Sequence, residues 1–240
     1  MNKNILMIIG LALTMLGLTK CKKPADYYSA GYLNKAENAK PGQVDSLQIL
    51  AGYNKARIRF KASPDRRVKQ VKVFYNTSLS ALVKDTTINL SDADYGNYVS
   101  VDIPNVPEAT AFVRVVGLDE KGDVSNGVEA VGTIYGEKYI SSLSNRIYRN
   151  ITTVDGVKQI NFQNESGKPR DTTVFYTLQR TVVTYPTTTG EFATVQLSPF
   201  SNAVAAPDMA GSGTISHYSE YKPAEDVIDI FKAATVTVEF

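Results

Sequence analysis

The 240-residue chain has no tryptophan, a single cysteine (Cys21) and a single histidine (His217). One cysteine excludes a disulfide framework within the chain, so the fold must rest on its apolar core. One histidine and one cysteine cannot supply the nitrogen and sulfur ligands of a usual zinc site. A catalytic triad would have to be built on His217. Its neighbours Ser212, Ser216 and Ser219 in "GSGTISHYSE" are close only in sequence, and the stretch lacks the G-x-S-x-G elbow that presents a nucleophile. No apolar run is long enough to cross a bilayer of about 30 Å as a helix. A large charge of either sign is also missing: 26 Lys and Arg face 24 Asp and Glu. This near-neutrality gives no electrostatic reason to expect nucleic acid as a partner. We therefore expect no catalytic residue, no metal site and no cofactor.

The N-terminus is organised as an export signal. Lys3 gives a short positive start, and Ile5 to Leu18 run without a charge, which suits a signal peptide. Leu16-Gly17-Leu18-Thr19-Lys20-Cys21 resembles a bacterial lipobox, except that Lys20 stands where a small residue usually precedes the cysteine. The resemblance implies cleavage after residue 20, lipidation at Cys21 and attachment to a membrane through two or three acyl chains, each buried CH₂ contributing about 0.8 kcal/mol. Cleavage would remove Lys3 and Lys20 and no acid, so the formal charge of +2 falls to about zero. Residues 21–40 are polar and without apolar period, and read as a flexible tether. Its reach is about 25 Å as a coil and roughly 60 Å stretched.

From Pro41 onward the apolar period is two. In "ARIRFKA" Ala56, Ile58, Phe60 and Ala62 point one way, and Arg57, Arg59 and Lys61 the other. "VKVFYN" and "YVSVDIP" repeat the pattern, as half-buried antiparallel strands do. Turn residues punctuate them at Ser63-Pro64-Asp65, Tyr95-Gly96-Asn97, Asp119-Glu120-Lys121-Gly122 and Ser125-Asn126-Gly127. About seven short strands between residues 41 and 135 predict an immunoglobulin-like sandwich. Residues 136–240 predict a second sandwich-like domain with strands in "RIYRNITTV", "VKQINFQ", "TTVFYTLQRTVVTY", "FATVQLS" and "ATVTVEF". "PAEDVIDIFKAA" invites a helix, with acids after Pro223, or equally a loop and strand over Glu225 to Phe231.

"IPNVPEATAFVRVVGLDEKGDVSNGVEAVGTIY" resembles the last strands of a fibronectin type III domain, without the buried tryptophan and corner tyrosine of that family. The lipobox, the sandwich pattern, "YISSLSNR" and "SHYSEYKPAEDVIDIF" together resemble a family of Bacteroidota surface lipoproteins with a domain of unknown function. Members often occur near genes for polysaccharide capture or beside discoidin-like domains. The expected architecture is thus all-β: two tandem fibronectin type III-like sandwiches behind a signal peptide and tether. The resemblance implies a non-enzymatic protein anchored to the outer membrane, facing the cell surface, with polysaccharide or neighbouring outer-membrane proteins as partners. A structural alternative is a fimbrial or adhesin-like subunit assembling by strand exchange, with "ATVTVEF" as donor.

Candidate chemistry is sparse. Asp92 and Asp94 in "SDADYGN", and Glu225, Asp226 and Asp229, are the densest acidic spots. A glycosidase needs two carboxylates roughly 5 to 9.5 Å apart across a cleft, and calcium needs six to eight oxygens; turn chemistry explains both clusters more simply. Arg66, Arg67, Lys69 and Lys72 read as a solvated face that an acidic glycan could meet. Of 14 tyrosines, Tyr95, Tyr98, Tyr185, Tyr218 and Tyr221 fall in turn-like contexts. Flat rings with a polar tip suit sugar faces, which makes Tyr218 and Tyr221 the candidate ligand contacts.

Overall fold

A computed structural model describes residues 40–163 and 178–240. Cys21, expected as the lipidated residue, the expected tether and the first part of "TTVFYTLQRTVVTY" lie outside the described residues. Seven strands follow in sequence: β1 (Asp45–Gly52), β2 (Lys55–Lys61), β3 (Val68–Thr77), β4 (Ser80–Asn89), β5 (Tyr98–Pro104), β6 (Thr110–Asp119) and β7 (Val128–Thr133). They form a three-stranded sheet in the order β1-β2-β5 and a four-stranded sheet in the order β4-β3-β6-β7, every pairing antiparallel. Strict alternation in β2 and β6 sends Ala56, Ile58 and Phe60 from one sheet, and Ala111, Val113 and Val115 from the other, into a shared core.

After a short helix α1 (Glu137–Ser142) the same plan recurs. Strands β8 (Tyr148–Val154), β9 (Val157–Phe162), β10 (Leu178–Pro186), β11 (Phe192–Leu197), β12 (Ala203–Ala206), β13 (Thr214–Tyr221), β14 (Phe231–Lys232) and β15 (Val236–Glu239) complete the chain. Their sheets read β12-β9-β8 and β11-β10-β13, with β14 and β15 sharing the outer side of β13. Position for position this is the order of the first sandwich, with its last strand broken in two. Ile160, Phe162, Val183, Leu197 and Ile215 fill the second core. The β8–β9 turn is Asp155-Gly156, both at positive φ (49° and 81°), as a two-residue hairpin needs if its twist is to match the strands.

The loop before β3 is organised by one carboxylate. Asp65 accepts from the Gly42 amide at 2.9 Å and from the Arg67 backbone and guanidinium. Those charge-assisted bonds, the Arg67 side chain foremost, pull its pKa down to about 2.

The structure decides three places that the sequence left open. Of the two forms open to "PAEDVIDIFKAA", a helix or a loop and strand, the structure takes the second: turns lead into β14, because Val227 and Phe231 are drawn into the core of the first sandwich and Asp229 into contacts with Tyr53 and Lys55. "YISSLSNR" carries α1, whose first amides Lys138 and Tyr139 bond the Glu108 carboxylate at 2.7 and 2.8 Å. His217 sits inside β13, 2% exposed.

Candidate functional site

An antiparallel sheet with one face on the core ordinarily turns charged and polar side chains to water on the other. The outer face of β4-β3-β6-β7 departs from this. Phe74 on β3 and Phe112 on β6 point outward, and Phe112 lies opposite Val131 of β7 in the ladder. Val83 of β4 continues the row. Phe112 is 44% exposed and Val131 65%, so an apolar stripe crosses four strands in the open. It floors a groove of about 360 Å³.

The walls of the groove are polar. Asn76 lies opposite Phe112, and Arg114 lies opposite both Phe74 and Glu129. The Arg114–Glu129 contact is long, 3.9 Å, and both side chains are more than half exposed; such a pair contributes little and leaves both groups free to turn to a ligand. Gly127 leaves room for the guanidinium, since a Cβ there would lie 2.4 Å from its Nε. At the other end Lys72 sits 5.1 Å from the Phe74 ring centroid and pairs with Asp85 at 3.2 Å. Rings flanked by an amide, a guanidinium and a carboxylate can take a ligand that is apolar on one face and rich in hydroxyl groups at its edges.

The residues singled out from sequence fall elsewhere. Tyr218 and Tyr221 both belong to β13 but point to opposite faces. Tyr218 faces outward, with the Lys232 ammonium 3.5 Å from its ring centroid. Tyr221 donates its hydroxyl to the Ser144 carbonyl at 2.5 Å, tying β13 to the segment after α1. They do not share one surface. Tyr185 is a core residue of β10 rather than a turn residue, bonded to Asp208 at 2.9 Å, and burial pushes its hydroxyl up to about 12. Tyr98 opens β5 beneath the Arg59 guanidinium, and Tyr95 donates to the Val68 carbonyl.

The acidic and basic clusters are used locally. Asp94 accepts from the Ser91 amide and hydroxyl, which lower its pKa, while Asp92 pairs with Arg66. Asp229 pairs with Lys55 at 3.0 Å, whereas Glu225 and Asp226 stand exposed. Arg67 pairs with Asp65, Lys69 with Glu120 and Lys72 with Asp85. Among the described residues no group of three or more His, Cys, Asp or Glu side chains is placed to hold a metal ion. The His217 Nε2 lies 3.1 Å from the Arg146 carbonyl and its Nδ1 has no partner, so neither ring nitrogen meets a serine hydroxyl. Ser219 bonds Thr181 instead.

Sequence reasoning passed over Phe74 and Phe112, although the signal was there: in "VKVFYN" and "AFVRVV" each phenylalanine falls on the same parity as a charged neighbour, Lys72 or Arg114. It also passed over Arg146, 1% exposed, whose guanidinium donates to the Ser198 and Ser201 carbonyls inside the second sandwich.

Two sandwiches of identical strand order, without a catalytic constellation among the described residues, define an all-β protein of tandem fibronectin type III-like architecture. The chain belongs to the DUF4998 family, described as a domain of unknown function, whose pattern matches residues 21–231. No curated protein matches it. Among solved structures it is similar to a two-domain fibronectin type III segment of chicken tenascin, at 8% identity over 83% of this chain and 99% of that one, TM-score 0.33. It is also similar to the chicken interferon gamma receptor alpha chain, at 7% identity over 82% and 98%, TM-score 0.34. A third is the FN1–FN3 segment of chicken CNTN1, at 10% identity over 83% and 65%, TM-score 0.43.

Proposed function

We propose that this protein is a non-enzymatic interaction module that binds a glycan chain on the outer face of its first sandwich. The observation that carries the reading is the apolar stripe of Phe74, Phe112, Val83 and Val131, open to solvent between Asn76 and the Arg114–Glu129 pair. A pyranose ring offers a face of C–H groups to an aromatic ring and hydroxyl groups at its rim. Phe112 and Phe74 would take the faces, and Asn76, Arg114 and Glu129 the hydroxyls. The lipobox-like stretch before Cys21 supports export and anchoring to the outer membrane, with the tether holding the sandwiches toward the cell surface, as in the Bacteroidota lipoproteins the sequence resembles. Neighbouring outer-membrane proteins are the other class of partner the same face would suit.

The test is a glycan array probed with the soluble chain beginning at Lys22, followed by titration of any hit against Phe112→Ala. A hit weakened by the substitution supports the reading; binding unaffected by Phe112→Ala and Phe74→Ala refutes it. A fimbrial role by strand exchange draws on one observation. The final strand β15 pairs with β13 at only four positions on a sheet edge, a short ladder that a second copy could replace. Boiling-sensitive ladders on a denaturing gel would favour it.

A further inference from the structure

The connection between β13 and β14, residues 222–230, is long for two strands that pair antiparallel, where hairpin loops of about 2–5 residues are usual. Its course explains the length. It leaves the second sandwich, lies along β1 of the first, and returns. Val227 and Phe231 are 3% and 2% exposed and belong to the hydrophobic cluster of the first sandwich, not the second. Phe231 meets Tyr139 edge-on at 5.0 Å and Tyr135 at 5.7 Å, and those two rings meet each other at 5.0 Å.

The backbone joins as well. The Ile228 amide donates to the Ala51 carbonyl at 2.8 Å, and the Tyr53 amide donates to the Asp229 carboxylate at 2.8 Å. A main-chain bond and a side-chain imitation of one thus continue the sheet past β1. Asp229 also pairs with Lys55 at 3.0 Å. The fit requires Gly52: a Cβ there would lie 2.5 Å from Asp229 Oδ2 and 2.9 Å from Ile228 Cγ1. From the other direction Tyr53 pairs with Tyr135 in a parallel bridge and its hydroxyl donates to the Glu137 carboxylate, so α1 is held to the same edge.

Contacts between tandem domains of one chain are ordinarily polar and permit relative motion. Here Phe231 is buried against two half-buried tyrosines, and a sheet edge is covered. We propose that residues 224–232 are an intramolecular clasp: the second sandwich supplies the missing part of the first core and fixes the two sandwiches at one orientation. The groove is then presented at a set angle to the second sandwich. The inference stands independently of what the groove binds.

The test uses the soluble chain from Lys22 with spin labels on Thr87→Cys and Thr194→Cys, exposed positions on β4 of the first sandwich and β11 of the second. Electron–electron distance measurements should give one narrow distribution, and Phe231→Ala should broaden it about twofold toward the freedom usual between domains. Asp229→Asn keeps the packing and removes the ion pair, so it serves where Phe231→Ala does not fold. Its Tyr53 amide should exchange about tenfold faster, consistent with loss of a charge-assisted bond, while Val183 in β10 stays unchanged. A broad distribution in the parent chain, an unchanged width in a folded Phe231→Ala variant, or unaltered Tyr53 exchange would overturn the proposal.

Discussion

Replacing Phe112 and Phe60 by alanine, one at a time, should separate binding from folding. Phe60 is fully buried between the sheets, and removing a buried phenylalanine costs about 3–5 kcal/mol, from lost transfer energy and the cavity left behind. Phe112 is nearly half exposed, and its main apolar partner across the ladder is Val131. A cross-strand pair of this kind contributes roughly 0.2–1 kcal/mol, so Phe112→Ala should move a urea midpoint only slightly. Its effect on binding should be larger. Covering roughly 50 Å² of ring at ~25 cal/mol per Å² is worth about 1.3 kcal/mol, close to a tenfold loss of affinity. The paired assay is chemical denaturation followed by circular dichroism, and calorimetric titration with the glycan identified on the array. If Phe112→Ala destabilised the protein as much as Phe60→Ala, the ring would be a packing residue and the groove no binding face.

Two further outcomes follow from the second sandwich. Burial lowers the pKa of His217 in the folded protein, so as pH falls through about 6.5 the unfolded chain takes up a proton more readily than the folded state. Stability should therefore be full above about pH 6.5 and fall as pH drops below it; His217→Gln should flatten the urea midpoint between pH 7 and 5, and a midpoint that still drops equally would exclude this residue as the source. Gly156 holds φ at 81° with open space around it, so Gly156→Ala should cost about 1–2 kcal/mol through backbone strain alone, read as a lower melting temperature with the same strand signal.

Much of the fold could be read from parity. The alternation of "ARIRFKA" reappears as β2, with Ile58 and Phe60 buried and Arg57 and Arg59 outward, because a strand with one wet face permits little else. β15 also fell within "ATVTVEF", although Val236 stands exposed there rather than turned inward. The segment Ala224–Lys232 was legible only as a choice between a helix and a loop with a strand, since Val227 and Phe231 sit four apart as on a helix. Only the socket between Tyr135, Tyr139 and β1, distant in sequence, draws them out as an extended loop. Arg146 was hidden for a related reason: a charged residue reads as exposed unless one knows that the Ser198 and Ser201 carbonyls converge on it. The groove fell between these cases. Its residues are visible as off-phase aromatics, but their alignment into a stripe depends on register between β3, β6 and β7.

The bond between the Tyr53 amide and Asp229 joins positions 176 residues apart. Domains usually mature one by one during synthesis, but here the first sandwich lacks Val227 and Phe231 of its core until the later strands have been made. Until Phe231 arrives, the apolar lining around Tyr135 and Tyr139 stays wet. Such late, long-range closure slows folding, and in the interval that lining is the surface most open to wrong partners.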